Sequence, residues 1–234
     1  MAANIKHIGV IMDGNRRWAK SHAIELYQGH NQGAENFGNL CDWCLQEGIP
    51  YVTVYAFSTE NWKRTQKEIS HLFGLMEKYF LEEKARCVEK GVRICVIGER
   101  SRFSARANSV INSIETATEK CKNLHVQIAL GYGGRDEIVR AAKKIAARAK
   151  EGSLDIDSLT EESFAKFLDT GGVPDVDLVI RTGGAENRRL SNFLPWQTVY
   201  SELFFSDLLW PEFNREEFDK TLEYFYSVKR KLGK

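Results

Sequence analysis

The chain has 234 residues, 43% hydrophobic and 28% charged, with a formal net charge of only +1. That size and composition suit one domain with a sizeable buried core, and the balanced charge argues against a protein built around nucleic acid or an anionic membrane surface. No stretch approaches the roughly 20 apolar residues needed to cross a bilayer and the first residues lack a signal-type apolar core, so the expectation is a soluble, cytoplasmic protein.

Taken in chain order, residues 7–12 are apolar and predict a strand. Directly after it stand Asp13, Gly14, Asn15, Arg16, Arg17, Trp18, Ala19 and Lys20. A glycine permits close backbone approach, the adjacent carboxylate can hold a hard cation, and two guanidinium groups follow at a helix start. This is chemistry suited to a bound diphosphate. Cys41 and Cys44 form a CxxC inside a helical pattern, with no second Cys or His pair at zinc spacing, which points to packing. The total of five cysteines suits reduced thiols rather than a disulfide framework.

Further strands are predicted at 51–57, 92–97, 125–130, 176–180 and 199–205. Between them, Ile69, Leu72, Phe73, Met76 and Phe80 keep a helical period, as do Ile111, Ile114, Ala117 and Cys121, and then Ile138, Ala141, Ala142 and Ile145. Strand alternating with helix implies an α/β domain: a mainly parallel central sheet of about six strands flanked by helices, with residues 1–234 forming a single unit. The polar stretch 150–160 reads as a surface connection.

In such sheets ligands bind beyond the carboxyl ends of the strands. Asp13 to Arg17 follow the first strand, and Ser58, Asn61, Trp62 and Arg64 follow the second. Gly131 to Arg135 follow the fourth, and Arg181 with Gly183 and Gly184 the fifth. These clusters in register predict an anion-binding cleft. No P-loop, dinucleotide fingerprint or GxSxG elbow is present. The cleft relies instead on Arg16, Arg17, Arg64, Arg181, Arg188 and Arg189, enough to hold two diphosphates. Mg²⁺ prefers one or two carboxylates plus substrate phosphates, and Asp13 with Glu202 are the candidates.

Five ordered blocks carry a family resemblance: HxGxIMDGNRRWAK at 7–20, GHxxG at 29–33, YAFSTENWKR at 55–64, GYGGRxEIV at 131–139, and DLVIRTGG from Asp177 followed by RLSNFLPWQ from Arg189 and by Glu202. With them the chain resembles the cis-prenyltransferases, typified by undecaprenyl diphosphate synthase. The resemblance implies addition of isopentenyl diphosphate to an allylic prenyl diphosphate such as farnesyl diphosphate, with Mg²⁺ required, in a homodimer. It further implies that Asp13 is the metal-linked catalytic carboxylate. Gly14, Asn15, Arg16, Arg17 and Trp18 would serve the primer's diphosphate, with His30 and Arg64 near the transferring group. Arg181, Arg189 and Ser191 would grip isopentenyl diphosphate, with Glu202 assisting the metal. Ser58, Asn61 and Trp62 would lie on a loop closing over both substrates, Asn61 with a catalytic or positioning role.

The family's hydrophobic tunnel would lie between the sheet and helices at 33–47 and 68–90, with Ala34, Phe37, Leu40, Leu72, Met76, Val92, Ile94 and Leu124 as lining. The basic tail at 229–234 reads as a helix end suited to transient contact with acidic lipids during product release. Two departures stand out. Leu26 occupies a position where bacterial members usually carry arginine, and the segment 184–189 is about two residues longer than the common form, so either Arg188 or Arg189 can be the ligand. Product length, a short-chain or irregular coupling reaction, and a non-catalytic subunit remain alternatives, the last disfavoured by the presence of Asp13, Arg17, Arg64, Arg181 and Glu202.

Overall fold

The computed structural model describes residues 4–184 and 187–228. The predicted basic tail at 229–234 and residues 185–186 of the lengthened segment lie outside them. Six strands, β1 (His7–Ile11), β2 (Tyr51–Ser58), β3 (Val92–Ile97), β4 (Leu124–Tyr132), β5 (Leu178–Arg181) and β6 (Glu202–Phe205), form one sheet in the order β3-β4-β2-β1-β5-β6. Every pairing is parallel. The strand order reverses at β1: the chain adds β2 beside it, places β3 at the far edge and inserts β4 between them, then returns to add β5 and β6 on the other side. Such a reversal opens a crevice at the carboxyl ends of the strands, here at β1, β2 and β5.

Seven helices are described: α1 (Asn15–Ser21), α2 (Leu26–Gln46), α3 (Gln66–Lys90), α4 (Ala105–Thr118), α5 (Gly134–Lys150), α6 (Glu161–Ala165) and α7 (Arg215–Ser227). In α2 the buried side chains Phe37, Leu40, Cys41 and Cys44 fall at a helical i, i+3, i+4, i+7 spacing, so the CxxC belongs to the packing stripe. All five cysteines are free thiols. Helix α3 starts where Thr65 accepts a hydrogen bond from the Glu68 N–H, a side-chain cap that satisfies one of the open amides of the first turn.

Alternate residues of the strands enter two cores. Ile8, Val10, Val52, Val54, Ile128, Leu178 and Ile180 face the larger one with α2, α3, α4 and α7. Ile11, Ala129 and Val179 face the smaller, closed by Phe193 and Leu194. On that second face His7 is buried at the foot of β1, with Nδ1 2.7 Å from the Pro174 carbonyl and Nε2 2.8 Å from the Thr53 hydroxyl.

The predicted elements shift in places. The strand expected at 199–205 begins only at Glu202, because Val199 and Tyr200 sit in a turn and are 67% and 73% exposed. Helix α2 starts at Leu26, well ahead of residue 33, and α4 stops at Thr118 rather than reaching Cys121. The Thr118 hydroxyl donates to the Ile114 carbonyl and accepts from the Ile94 N–H of β3, which pins that helix end to the sheet.

Burial lowers the pKa of His7 from 6.5 to about 4, with the Pro174 hydrogen bond and Asp177 opposing it. The folded protein therefore resists a proton that the unfolded chain accepts. The corresponding stability is present above about pH 6.5 and is lost as the pH falls toward 4. Urea unfolding at pH 7 and pH 4.5 should show the wild type losing on the order of 2 kcal/mol more than His7→Asn; equal losses would refute this account.

Candidate active site

The end of β1 leads directly into Asp13, whose carboxylate bridges two arginines. Oδ1 accepts from Arg17 Nη2 at 3.2 Å and Oδ2 from Arg181 Nη2 at 3.0 Å. Arg17 lies in the first turn of α1, while Arg181 ends β5, so this carboxylate joins the two strand ends flanking the crevice. Arg181 is nearly buried and also donates through Nη1 to Ser191 Oγ at 2.8 Å and to the Arg189 carbonyl. Its Nε is buried with no hydrogen-bond partner among the described residues.

Asp13 is held by its backbone as well. Its carbonyl accepts from Thr182 Oγ1 at 2.7 Å and from the Trp210 N–H at 3.0 Å. Arg17 Nη1 donates to the Gly183 carbonyl at 2.5 Å. Gly183 has φ +111°, and a Cβ there would stand 2.6 Å from Arg17 Nη2, so only glycine lets the β5 turn approach this guanidinium. Thr182, Gly183 and Trp210 thus belong to the site although their residue types alone give them no role there. The first two lie in the quoted DLVIRTGG block; nothing in the sequence singles out Trp210.

On one side of Asp13 opens a pocket of about 790 Å³ lined by Gly14, Asn15, Arg16, Arg17, Lys20, His30 and Arg64, with Ala23, Ile24 and Leu26 as an apolar wall. Glu68 receives Arg64 Nη1 at 2.9 Å and lies 3.8 Å from Arg16 Nε, so one carboxylate orients two guanidinium groups at the rim. Burial, reinforced by the charge of Arg64, lowers His30 to about 4. The ring is neutral at pH 7, and its Nε2, like Asn15 Oδ1, is buried without a hydrogen-bond partner among the described residues. Across Asp13, Arg181 and Ser191 form a second polar cluster, in which the Arg189 carbonyl accepts from the Arg181 guanidinium. The Arg188 and Arg189 side chains are both exposed.

The GHxxG block explains how α1 is placed. Gly29 and Gly33 lie one turn apart on α2 where α1 begins: a Cβ on Gly29 would be 2.2 Å from the Asn15 carbonyl oxygen, and one on Gly33 2.4 Å from Asn15 Oδ1. The helices meet at backbone distance, which sets Arg16 and Arg17 against the β1 end.

Other expected residues lie elsewhere. Glu202 opens β6 opposite Leu178, whereas Arg181 pairs with Phe205; it therefore lies at the amino end of its strand, three residues back along the sheet from the level of Arg181. Within one chain it does not join Asp13 in a two-carboxylate site. Trp18 packs on His22, the rings tilted by 35° with centroids 4.4 Å apart, and does not line the pocket. Trp62 packs among Phe57, Phe73 and Phe103, with Arg102 4.4 Å above its ring. It anchors the short 3₁₀ turn Thr59–Lys63 rather than covering the anion pocket. In that turn Asn61 Oδ1 accepts from the Ser58 N–H at 3.0 Å.

Behind Met12, Asn15 and His30 an apolar cavity of about 130 Å³ runs between α2, α3 and the sheet. Ala34, Phe37, Leu72 and Met76 line it as expected, together with Tyr79, Phe80 and Trp210. Val92 and Ile94 line a separate space of about 30 Å³ beyond Phe37, Tyr79 and Phe80. Leu40 and Leu124 line neither; they are fully buried core residues.

Comparison with known proteins gives the family. Residues 11–233 match the family described as "Putative undecaprenyl diphosphate synthase". The chain belongs to this prenyltransferase family. An isoprenyl transferase of Aquifex aeolicus is 43% identical over 98% of this chain and 96% of its own length. A tritrans,polycis-undecaprenyl-diphosphate synthase, geranylgeranyl-diphosphate specific, of Thermoplasma acidophilum is 42% identical, covering 98% and 89%. The crystal structure of lavandulyl diphosphate synthase from Lavandula x intermedia with dimethylallyl diphosphate superposes with a TM-score of 0.94 at 32% identity, covering 98% of each chain. The chain is thus a cis-prenyltransferase, an enzyme.

In this prenyltransferase the packing of α1 on α2 at Gly29 should be intolerant of a side chain. Gly29→Ala is expected to lower unfolding stability by about 1–3 kcal/mol and to weaken diphosphate binding, measured by denaturant titration and by calorimetry with inorganic pyrophosphate. Wild-type values for both would show that the close approach does not matter.

Proposed function

We propose that the enzyme condenses isopentenyl diphosphate with an allylic prenyl diphosphate, farnesyl diphosphate or a near homologue, and repeats the step to make a cis-polyprenyl diphosphate of undecaprenyl type. The observation that carries this reading is the position of Asp13 between two arginine clusters at the mouth of an apolar cavity. A polar, cationic mouth for two diphosphates and an apolar channel for one growing chain is what repeated elongation needs.

The allylic diphosphate is assigned to the pocket of Gly14, Asn15, Arg16, Arg17, His30 and Arg64, and isopentenyl diphosphate to Arg181 and Ser191, with Arg188 or Arg189 adding a guanidinium. Breaking the allylic C–O bond leaves its electron pair, and so additional negative charge, on the departing diphosphate, which the preorganised guanidinium groups stabilise. The isopentenyl double bond supplies the electrons of the new C–C bond, and the proton then lost passes to a diphosphate oxygen, with Asn61 or Asp13 positioning it. Holding both substrates side by side makes the condensation effectively intramolecular. Each C5 unit buried in the channel adds on the order of 4 kcal/mol, so the hydrocarbon anchors the chain while its head group resets.

Asp13 is also the fitting group for Mg²⁺. Among the described residues no trio of His, Cys, Asp and Glu is placed to hold a metal, and Mg²⁺ is a cation that accepts one carboxylate plus phosphate oxygens and water. When bound it would neutralise charge on the leaving diphosphate. Arg17 and Arg181 hold the Asp13 carboxylate; their exchange onto phosphate would release it for the cation.

The cavity of about 130 Å³ is close in size to a space that holds one benzene ring. A longer chain therefore requires α2 and α3 to part along the wall formed by Ala34, Leu75 and Tyr79, which face both this cavity and an open groove outside. A homodimer through the β6 edge is part of the same reading, supported by exposed Val199, Tyr200, Leu203 and Tyr226 on that side. No described helix is long and apolar enough to cross a membrane; contact with one would be peripheral, at product release.

Asp13→Ala under saturating Mg²⁺ should lose at least about a hundredfold in kcat, and substantial remaining turnover would refute its role. Incubation with labelled isopentenyl diphosphate and primers of different lengths should give long products sized by chromatography. Products stopping after a single condensation would favour the coupling reaction instead.

A further inference from the structure

The loop after β5 contains three non-glycine residues in the left-handed region: Ser191 at φ +49°, Asn192 at +66° and Leu194 at +49°. That conformation crowds the Cβ of each against its own backbone, so the loop needs external support to stay in this form. It is the loop that presents Ser191 Oγ to Arg181.

The support converges on Asn192, which touches two other segments. Its Oδ1 accepts from the Arg135 N–H at 2.9 Å and its carbonyl accepts from the Gly134 N–H at 2.8 Å. These are open amides of the first turn of α5, whose own N-cap is Gly133, a residue with no side chain to offer. Asn192 therefore caps α5 from a distance of 57 residues in sequence. Its Nδ2 donates to Glu60 Oε1 at 3.3 Å, and Glu60 lies in the turn that holds Ser58 and Asn61. A Cβ added to Gly133 would come within 2.6 Å of Thr59 Oγ1 and 2.9 Å of Asn192 Nδ2, so the three segments meet with no space to spare. Glu60 is held charged here: burial alone would raise its pKa, and hydrogen bonds from its own backbone, Ser58, Asn192 and Thr59 outweigh that.

We propose that Asn192 is a positioning residue that couples the two halves of the active site: it fixes Ser191 on Arg181 and, through Glu60, sets the place of the Ser58 to Asn61 turn. The proposal rests on the assignment of Arg181 and Ser191 to isopentenyl diphosphate. Asn192 acts through its neighbours Ser191 and Glu60. Its two functions separate chemically, since the acceptor Oδ1 serves the α5 cap and the donor Nδ2 serves Glu60.

The variants to compare in steady-state kinetics are N192A, N192D and N192D/E60Q, with R181A as control. N192A loses both contacts and should raise KM for isopentenyl diphosphate about tenfold, as expected for a lost hydrogen-bonded contact, with KM for the allylic substrate changing less than about twofold. N192D keeps the acceptor for the Arg135 N–H but sets a carboxylate against Glu60. It should lower kcat with KM for isopentenyl diphosphate little changed. N192D/E60Q restores the bond with its polarity reversed, the introduced amide donating to the introduced carboxylate, and should recover kcat. A merely structural role would move both KM values together and would not be rescued. If R181A raises KM for isopentenyl diphosphate while N192A leaves it unchanged, or if the double variant is no better than N192D, the positioning role is overturned. If R181A itself binds isopentenyl diphosphate as the wild type does, the substrate assignment fails and the role falls with it.

Discussion

The bridge from Arg17 through the Asp13 carboxylate to Arg181 organises the site. It spans the point where the sheet reverses direction, tying the chain leaving β1 to the chain leaving β5 with a carboxylate that both guanidinium groups share. Without a negative charge between them, two arginines at this distance would repel each other. Asp13 therefore holds the two guanidinium groups together, and in the proposed reaction the same arginines turn to phosphate. The surrounding contacts serve this arrangement: Thr182 and Trp210 hold the Asp13 backbone, Gly183 admits Arg17, and Gly29 with Gly33 bring α1 close enough to α2 to aim its arginines inward.

Behind that mouth the character of the protein changes within a few residues. Met12, Asn15 and His30 border both the cationic pocket and the apolar cavity, and His30, neutral because it is buried, is a side chain that both environments tolerate. The division suits a molecule with a charged head and a hydrocarbon tail. The head is held by directional, charge-assisted hydrogen bonds, while the tail is held by area alone, which is indifferent to its register. A chain that must advance by one isoprenoid unit at a time needs that indifference.

Much of this is legible in the residues. The six strands stand out because a buried parallel strand is a short apolar run, and the polar residues that follow each run mark one edge of the sheet. The weak points have physical causes. Val199 and Tyr200 are residue types common in strands, yet their side chains lie exposed in a turn before the edge strand. Leu40 and Leu124 are as apolar as the true cavity lining, and nothing local distinguishes a residue facing a void from one packed in the core. Trp62 is an aromatic on a site loop in sequence and an anchor among phenylalanines in space.

The sequence by itself determined the architecture, the anion chemistry and the family, because strand periodicity, glycine placement and clustered arginines are local signals read along the chain. Only the tertiary structure decided which charges meet. The distance of Glu202 from Asp13 follows from strand register, and the contacts of Asn192 with Arg135 and Glu60 join residues far apart in the chain. Hydrogen bonds act over about 3 Å, and proximity at that scale between remote segments exists only once the sheet has fixed their register.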